Sequence, residues 1–150
     1  MQIRVVITGL GIIAPGGIGK EAFWETITKG KSAVDEITRF DTKDCPTKIA
    51  AEIKDFTPSK YIKIKETRRM DKASQFAIAA SQLAVQDSGL KINEEITERT
   101  GVCLGTSAGG TEFGGEQLHK SKIKGLSKIS PYTATSAFPG SIVGHVTIDL

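Results

Sequence analysis

Cysteine, histidine and aromatic residues are scarce in this 150-residue sequence. Only Cys45 and Cys103 carry thiols, and only His119 and His145 carry imidazoles. Two cysteines build no disulfide framework and lack the spacing of a zinc site. Two histidines so far apart make no metal site. Charge of one sign is also missing: 20 basic residues face 17 acidic ones, a net +3. That bias is too small to point to nucleic acid. No run approaches the roughly eighteen apolar residues that cross a bilayer, so no membrane insertion is expected. MQIRVVITGLG lacks a basic region, a long apolar run and a cleavage site, so no secretory signal is expected. Together these absences predict a reducing, cytoplasmic setting.

With 39% apolar and 25% charged residues, the chain has the composition of a globular domain. RVVIT at 4–8 and GVCLG at 101–105 read as buried strands, rich in β-branched and apolar residues. Between them the spacing predicts a short helix over 20–29, with Phe23, Ile27 and Trp24 inward and Gly30 at its end. Residues 31–60 read as an irregular excursion with one extended segment near Ile49–Ile53. The clearest helix is DKASQFAIAASQLAVQDS at 71–88. Phe76, Ala80, Leu83 and Ala84 share a face, Asp71 suits an N-cap and Gly89 a left-handed C-cap. Further helices are predicted near Glu112–Lys124 and in AFPGSIVGHVTI, where Pro139 suits a first turn. Strand alternating with helix predicts an α/β fold with parallel strands. The chain stops at Leu150 directly after an apolar helix, an end expected of a cut through a larger protein.

The chemical signals are sparse. VVITGLGIIAPGG follows a strand as a phosphate-binding turn would. However, Pro15-Gly16-Gly17 interrupts the residues that should open a helix, and no acidic residue closes a second strand. A structural turn that lets strand and helix pack closely is expected instead, and no cofactor is assigned. A nucleotide-dependent α/β oxidoreductase stays a rival class. His119 lies in the polar stretch EQLHKSKIK and is expected in solvent. His145, in an apolar helix with Asp149 as its nearby carboxylate, is expected buried and hydrogen-bonded. Cys103 is expected to be an inert core thiol, and Cys45 a loop residue without a task. YIKIKETRRMDK gathers Lys63, Lys65, Arg68, Arg69 and Lys72, readable as a solvated face or as an anion-docking patch.

In order, VVITGLGIIAPGG (5–17), FWETITKGKSAVDEITRFDT (23–42), KETRRMDKASQFAIAASQLAVQDSGL (65–90), GVCLGTSAGG (101–110) and KISPYTATSAFPGSIVGHVTI (128–148) cover essentially the whole chain. This series resembles the N-terminal portion of a β-ketoacyl-acyl carrier protein synthase, an elongating condensing enzyme of type II fatty acid or polyketide synthesis. The resemblance implies part of a thiolase-like fold, a duplicated, five-layered α/β/α/β/α arrangement that acts as a homodimer or heterodimer. It implies decarboxylative Claisen condensation without a metal or cofactor. The nucleophile would be a cysteine in a segment like T-A-C-S-S-G at a helix N-terminus, assisted by two histidines and a lysine. None matches a residue of 1–150; all are expected beyond Leu150, and the isolated chain is expected to be inactive. Residues 1–150 would be the N-terminal part of one synthase domain, with no linker or sub-domain boundary evident.

The same resemblance implies that Lys65, Arg68 and Arg69 dock the acidic acyl carrier protein. Ala108 would line the acyl pocket, where the family often has a bulky residue such as isoleucine. Phe138-Pro139 is closer to polyketide-type members. A chain-length-factor-type subunit, with the same fold and no cysteine, is the alternative that residues 1–150 leave open.

Overall fold

The computed structural model describes residues 3–150. Its organising element is the predicted long helix, α3 (Lys72–Ser88). Asp71 caps it by accepting the Ala73 N–H, and Gly89 ends it at φ 67°. The buried positions are Ser74, Gln75, Ile78 and Ala79, one register away from the expected stripe of Phe76, Ala80, Leu83 and Ala84. Both stripes are used. One meets α7 (Ser141–Asp149), whose Ile142 and Val146 are buried one turn apart. Ile62, Met70, Ile78 and Val146 form the core cluster there, with Val102 and Leu150 packed against it.

The second stripe answers for the first glycine cluster. A side chain at Gly11 would run into the Ala80 carbonyl and the Ala84 N–H, and one at Gly9 into the Ala84 carbonyl. Residues 9–11 therefore lie directly on the alanine face of α3, where any Cβ would force them apart. The close approach is to a helix, as the structural-turn reading expects. Beyond it, β1 (Ile13–Ala14) and β2 (Gly17–Ile18) form a small antiparallel hairpin. α1 (Lys20–Thr28) follows. Phe23 is half-buried, but Trp24 and Ile27 are exposed, against expectation. The hairpin is only long enough to cover one turn of the helix.

Residues 31–60 hold more order than their sequence suggests. β3 (Val34–Glu36) pairs antiparallel with β4 (Ile49–Ala51), and Phe56 stacks on Tyr61 and meets Phe76 edge-on at 4.9 Å. Then come α2 (Ile64–Thr67), α4 (Glu94–Thr97), α5 (Thr111–Lys124) and α6 (Thr133–Ala137). Pro139 falls in the turn between α6 and α7, before the first turn of α7 rather than within it.

The two predicted buried strands are corrected. Residues 4–8 and 101–105 belong to no ladder, and the only strand pairs among the described residues are the two antiparallel hairpins. Ile3, Val5 and Ile7 on one side of the first segment, and Val6 on the other, are exposed. β-branched sequence supplies the preference for extended backbone; a strand also needs a hydrogen-bonding neighbour. No helix is long and apolar enough to cross a membrane among the described residues.

Candidate functional site

The segment GTSAGG (105–110) runs from the extended piece at 101–105 into α5. Thr106 Oγ1 accepts the Gly109 N–H at 3.1 Å. Gly110 is the α5 N-cap at φ 87°, a conformation that favours glycine. A Cβ at Gly110 would run into the Ala137 carbonyl at the end of α6, and one at Gly109 into Ile142 Cδ1 on α7. The small residues are there because the turn lies flush on the α6–α7 junction. Asp71 secures it from the other side: Oδ1 accepts the Gly110 N–H at 3.2 Å and Oδ2 the Phe113 N–H at 3.3 Å. Ala108 is exposed on this fixed turn. Two clefts, of about 770 and 840 Å³, are walled by residues of the two hairpins and their flanks. Neither is lined by Ala108.

The basic segment lies between two buried anchors, Ile62 and Met70. Lys65 and Arg68 are exposed, and neither makes an ion pair or side-chain hydrogen bond among the described residues. Arg68 lines a cleft of about 190 Å³ with Lys72, Glu112 and Glu116. Lys72 is 3.2 Å from Glu112, which also pairs with Arg39. Arg69 differs from its neighbours. Its guanidinium lies 5.1 Å from the centre of the Tyr132 ring and 3.7 Å from Glu66 Oε1. Its carbonyl accepts the buried Ser136 Oγ–H at 2.6 Å. The charge of this patch is legible in sequence, but the division into free and engaged cations is not. Tyr132 and Ser136 carried no signal that would have linked them to it.

Thiols and imidazoles depart from expectation. Cys103 is exposed, not buried, because the segment around it has no sheet to cover it; both cysteines are free. His119 is exposed as expected. His145 is half-buried, but its Nε2 is buried without a hydrogen-bond partner. Asp149 is directed elsewhere, accepting from Gln82 Nε2 at 2.6 Å. The described residues contain no group of three or more His, Cys, Asp or Glu placed to hold a metal ion. α3 fills the space toward which a Cβ on Gly9 or Gly11 would point.

Comparison with known proteins gives this arrangement its context. The family described as "Beta-ketoacyl synthase, N-terminal domain" matches residues 2–150. A 3-oxoacyl-[acyl-carrier-protein] synthase 2 of Staphylococcus aureus (strain MRSA252) is 42% identical over 150 residues, covering 99% of this chain and 36% of the relative. Among solved structures, the ishigamide ketosynthase/chain length factor superposes with a TM-score of 0.81 at 28% identity, over 96% of this chain and 36% of the other. A beta-ketoacyl synthase from Burkholderia phymatum gives 0.78 at 26% identity, over 97% and 36%. The chain thus spans about a third of the length of the relatives it matches, and it has the partial thiolase-like α/β fold of ketosynthases, with two antiparallel hairpins as the strand pairs among the described residues. By its sequence and its fold, the chain belongs to the beta-ketoacyl synthase family, as an N-terminal domain.

Proposed function

We propose that the complete protein carrying this domain is a cytoplasmic, dimeric acyltransferase of fatty acid or polyketide synthesis. It joins an enzyme-bound acyl group to a malonyl carrier protein. Loss of carbon dioxide from the malonyl thioester leaves the carbon nucleophile. That nucleophile attacks the acyl carbonyl and expels the enzyme thiolate, giving a 3-oxoacyl carrier protein. The 42% identity to a 3-oxoacyl-[acyl-carrier-protein] synthase across 99% of this chain carries the reading. The cysteine, the histidine pair and the lysine of the reaction are assigned to the remainder of the protein. This domain contributes the shaped turn at 105–110, with Ala108 facing the acyl chain, and the basic segment around Arg69, whose exposed cations Lys65 and Arg68 meet the carrier protein.

The direct assay is carbon dioxide release and 3-oxoacyl product from malonyl carrier protein and an acyl donor. The complete protein is expected to turn over and residues 1–150 alone to give nothing above a heat-killed control. Turnover by the 150-residue chain would remove the assignment of the nucleophile to the rest of the protein. Docking is tested by salt: charge-assisted contacts weaken as ionic strength rises. Arg68→Glu should raise the carrier dissociation constant, while circular dichroism stays unchanged. An unaltered constant at low salt would reject the patch.

A second reading has its own support, since one structural neighbour is described as a ketosynthase/chain length factor. A chain-length-factor subunit would lack the nucleophile. Acylation of the complete protein with a labelled acyl donor separates the two: a covalent thioester supports the synthase, and its absence supports the partner subunit.

A further inference from the structure

The geometry points to Arg69 as a positioning residue that ties the basic docking segment to the turn bearing Ala108, rather than as a contact to the carrier protein. This rests on the reading of Lys65 and Arg68 as the docking face and of Ala108 as part of the acyl site. Of the three cations assigned to that face, Arg69 alone has its charge engaged within the domain. It lies over the Tyr132 ring at 5.1 Å, inside the range of a cation–π contact, and 3.7 Å from Glu66. The same residue's carbonyl receives the Ser136 hydroxyl at 2.6 Å. Side chain and main chain of one residue therefore grip both ends of one helical turn, since Tyr132 precedes α6 and Ser136 lies within it. α6 ends at Ala137, whose carbonyl oxygen lies well inside van der Waals contact of where a Cβ on Gly110 would be. Gly110 in turn is two residues from Ala108. The Gly110 backbone lies too close to Ala137 to admit even a Cβ, so a displacement of α6 toward the turn would meet Gly110 directly. Lys65 and Arg68 have no such attachment and stay free for a partner.

The experiment uses the complete protein with R69Q, R69K, Y132L, Y132F and the R69Q/Y132L double variant, and R68Q as the docking reference. Two quantities are read: the carrier dissociation constant at low salt, and the ratio of kcat/KM for long and short acyl donors. R69Q and Y132L should each shift that ratio by the same factor, roughly two- to fivefold for loss of one cation–π contact, and the double variant should shift it no further. R69K and Y132F, which keep a cation and a ring face, should stay near the parent ratio. The carrier constant should rise with R68Q and stay within about twofold for the Arg69 and Tyr132 variants. If R69Q raises the carrier constant as much as R68Q while Y132L leaves it alone, Arg69 is a docking contact and the inference is wrong. Additive shifts in the ratio, or no shift, also overturn it. Should R69Q fail to fold, the contrast between Y132F and Y132L makes the same decision. Failure of the docking reading itself is a different result: R68Q would then leave the carrier constant unchanged, whatever happens to the acyl-length ratio.

Discussion

The carboxylate of Asp71 accepts the N–H of Gly110 at 3.2 Å, across 39 positions of sequence. The same group caps α3 through Ala73 N at 2.8 Å and receives the Phe113 N–H near the start of α5. One buried side chain, 5% exposed, thus serves the N-termini of two helices. Each has orphan donors that need an acceptor, and a negative charge suits both positive helix ends. Asp71→Ala removes a cap worth about 1 kcal/mol and strands further buried N–H groups at about 1–3 kcal/mol. A loss of roughly 2–4 kcal/mol is expected in denaturant unfolding of the complete protein. Asp71→Ser is the informative control. Its shorter side chain can still cap α3 but cannot span to α5, so it should recover only part of the loss. Full recovery would show that the Gly110 and Phe113 bonds contribute nothing.

Gly11 should not tolerate even alanine. The added methyl would meet the main chain of α3 at Ala80 and Ala84, not a flexible side-chain tip that could turn away. Overpacking of this kind costs about 1–3 kcal/mol. Gly30, where nothing lies near an added Cβ but φ is 61°, provides a comparison in which only backbone conformation opposes the change. Gly11→Ala is expected to lower the unfolding midpoint of the complete protein more than Gly30→Ala. Equal effects would mean that the close approach of residues 9–11 to α3 adds no constraint.

Asp87 and Lys20 give the fold a pH dependence with a definite sign. The Lys20 ammonium and then the Leu10 N–H, at 2.9 Å, hold the Asp87 carboxyl below its ordinary value. The bond to Asp87 raises Lys20 above its own. The Asp87 contribution is therefore complete above the ordinary carboxylate value of about 3.9 and fades as pH falls through the lower folded value. The Lys20 contribution is complete below about 10.4 and fades as pH rises through its raised folded value. Both groups meet solvent, so screening keeps the effect small. Asp87→Asn should flatten the fall in stability as pH drops below about 4. Identical acid profiles for the variant and the parent would exclude this pair as a source of the slope.

What the sequence discloses follows the range of the forces involved. α3 was legible because its evidence is local: Ala80, Leu83 and Ala84 repeat with the helical period, Asp71 precedes the first turn and Gly89 follows the last. The 4–8 and 101–105 segments are half legible. Val5, Val6 and Ile7 state a preference for extended backbone, but the identity of a pairing neighbour is not a local property. β3 was missed because Val34–Glu36 is short, polar and separated from β4 by residues 37–48. At the candidate site, the charge of Lys65, Arg68 and Arg69 could be read directly. That Arg69 is held by Tyr132 and Ser136 could not, since those partners are more than sixty residues away. Asp71 shows both cases at once: its cap on Ala73 is a sequence signature, and its bond to Gly110 is not.

Ala108 offers the sharpest test of how this domain shapes the reaction. Its carbonyl accepts the Thr111 N–H at 3.2 Å and the Thr111 hydroxyl at 2.6 Å, so the backbone of the turn is fixed while the methyl group is exposed. Ala108→Ile adds three carbon atoms at a point where residues 3–150 offer no confinement. Exposed substitutions of this sort usually change stability by less than about 0.5 kcal/mol. A larger effect on catalysis must then arise where the acyl chain meets the new side chain. Crowding in such a pocket costs about 1–3 kcal/mol. A short acyl group that stops before residue 108 escapes it, and a long one does not. A difference of about 1.4 kcal/mol between donors corresponds to roughly tenfold in relative kcat/KM. The expected outcome for the complete A108I protein is therefore near-parent kcat/KM with short donors and about a tenfold loss with long ones. If both donors lose equally, the residue acts on the turn and not on the pocket. If only the melting temperature falls, Ala108 packs against the rest of the protein and does not select acyl length.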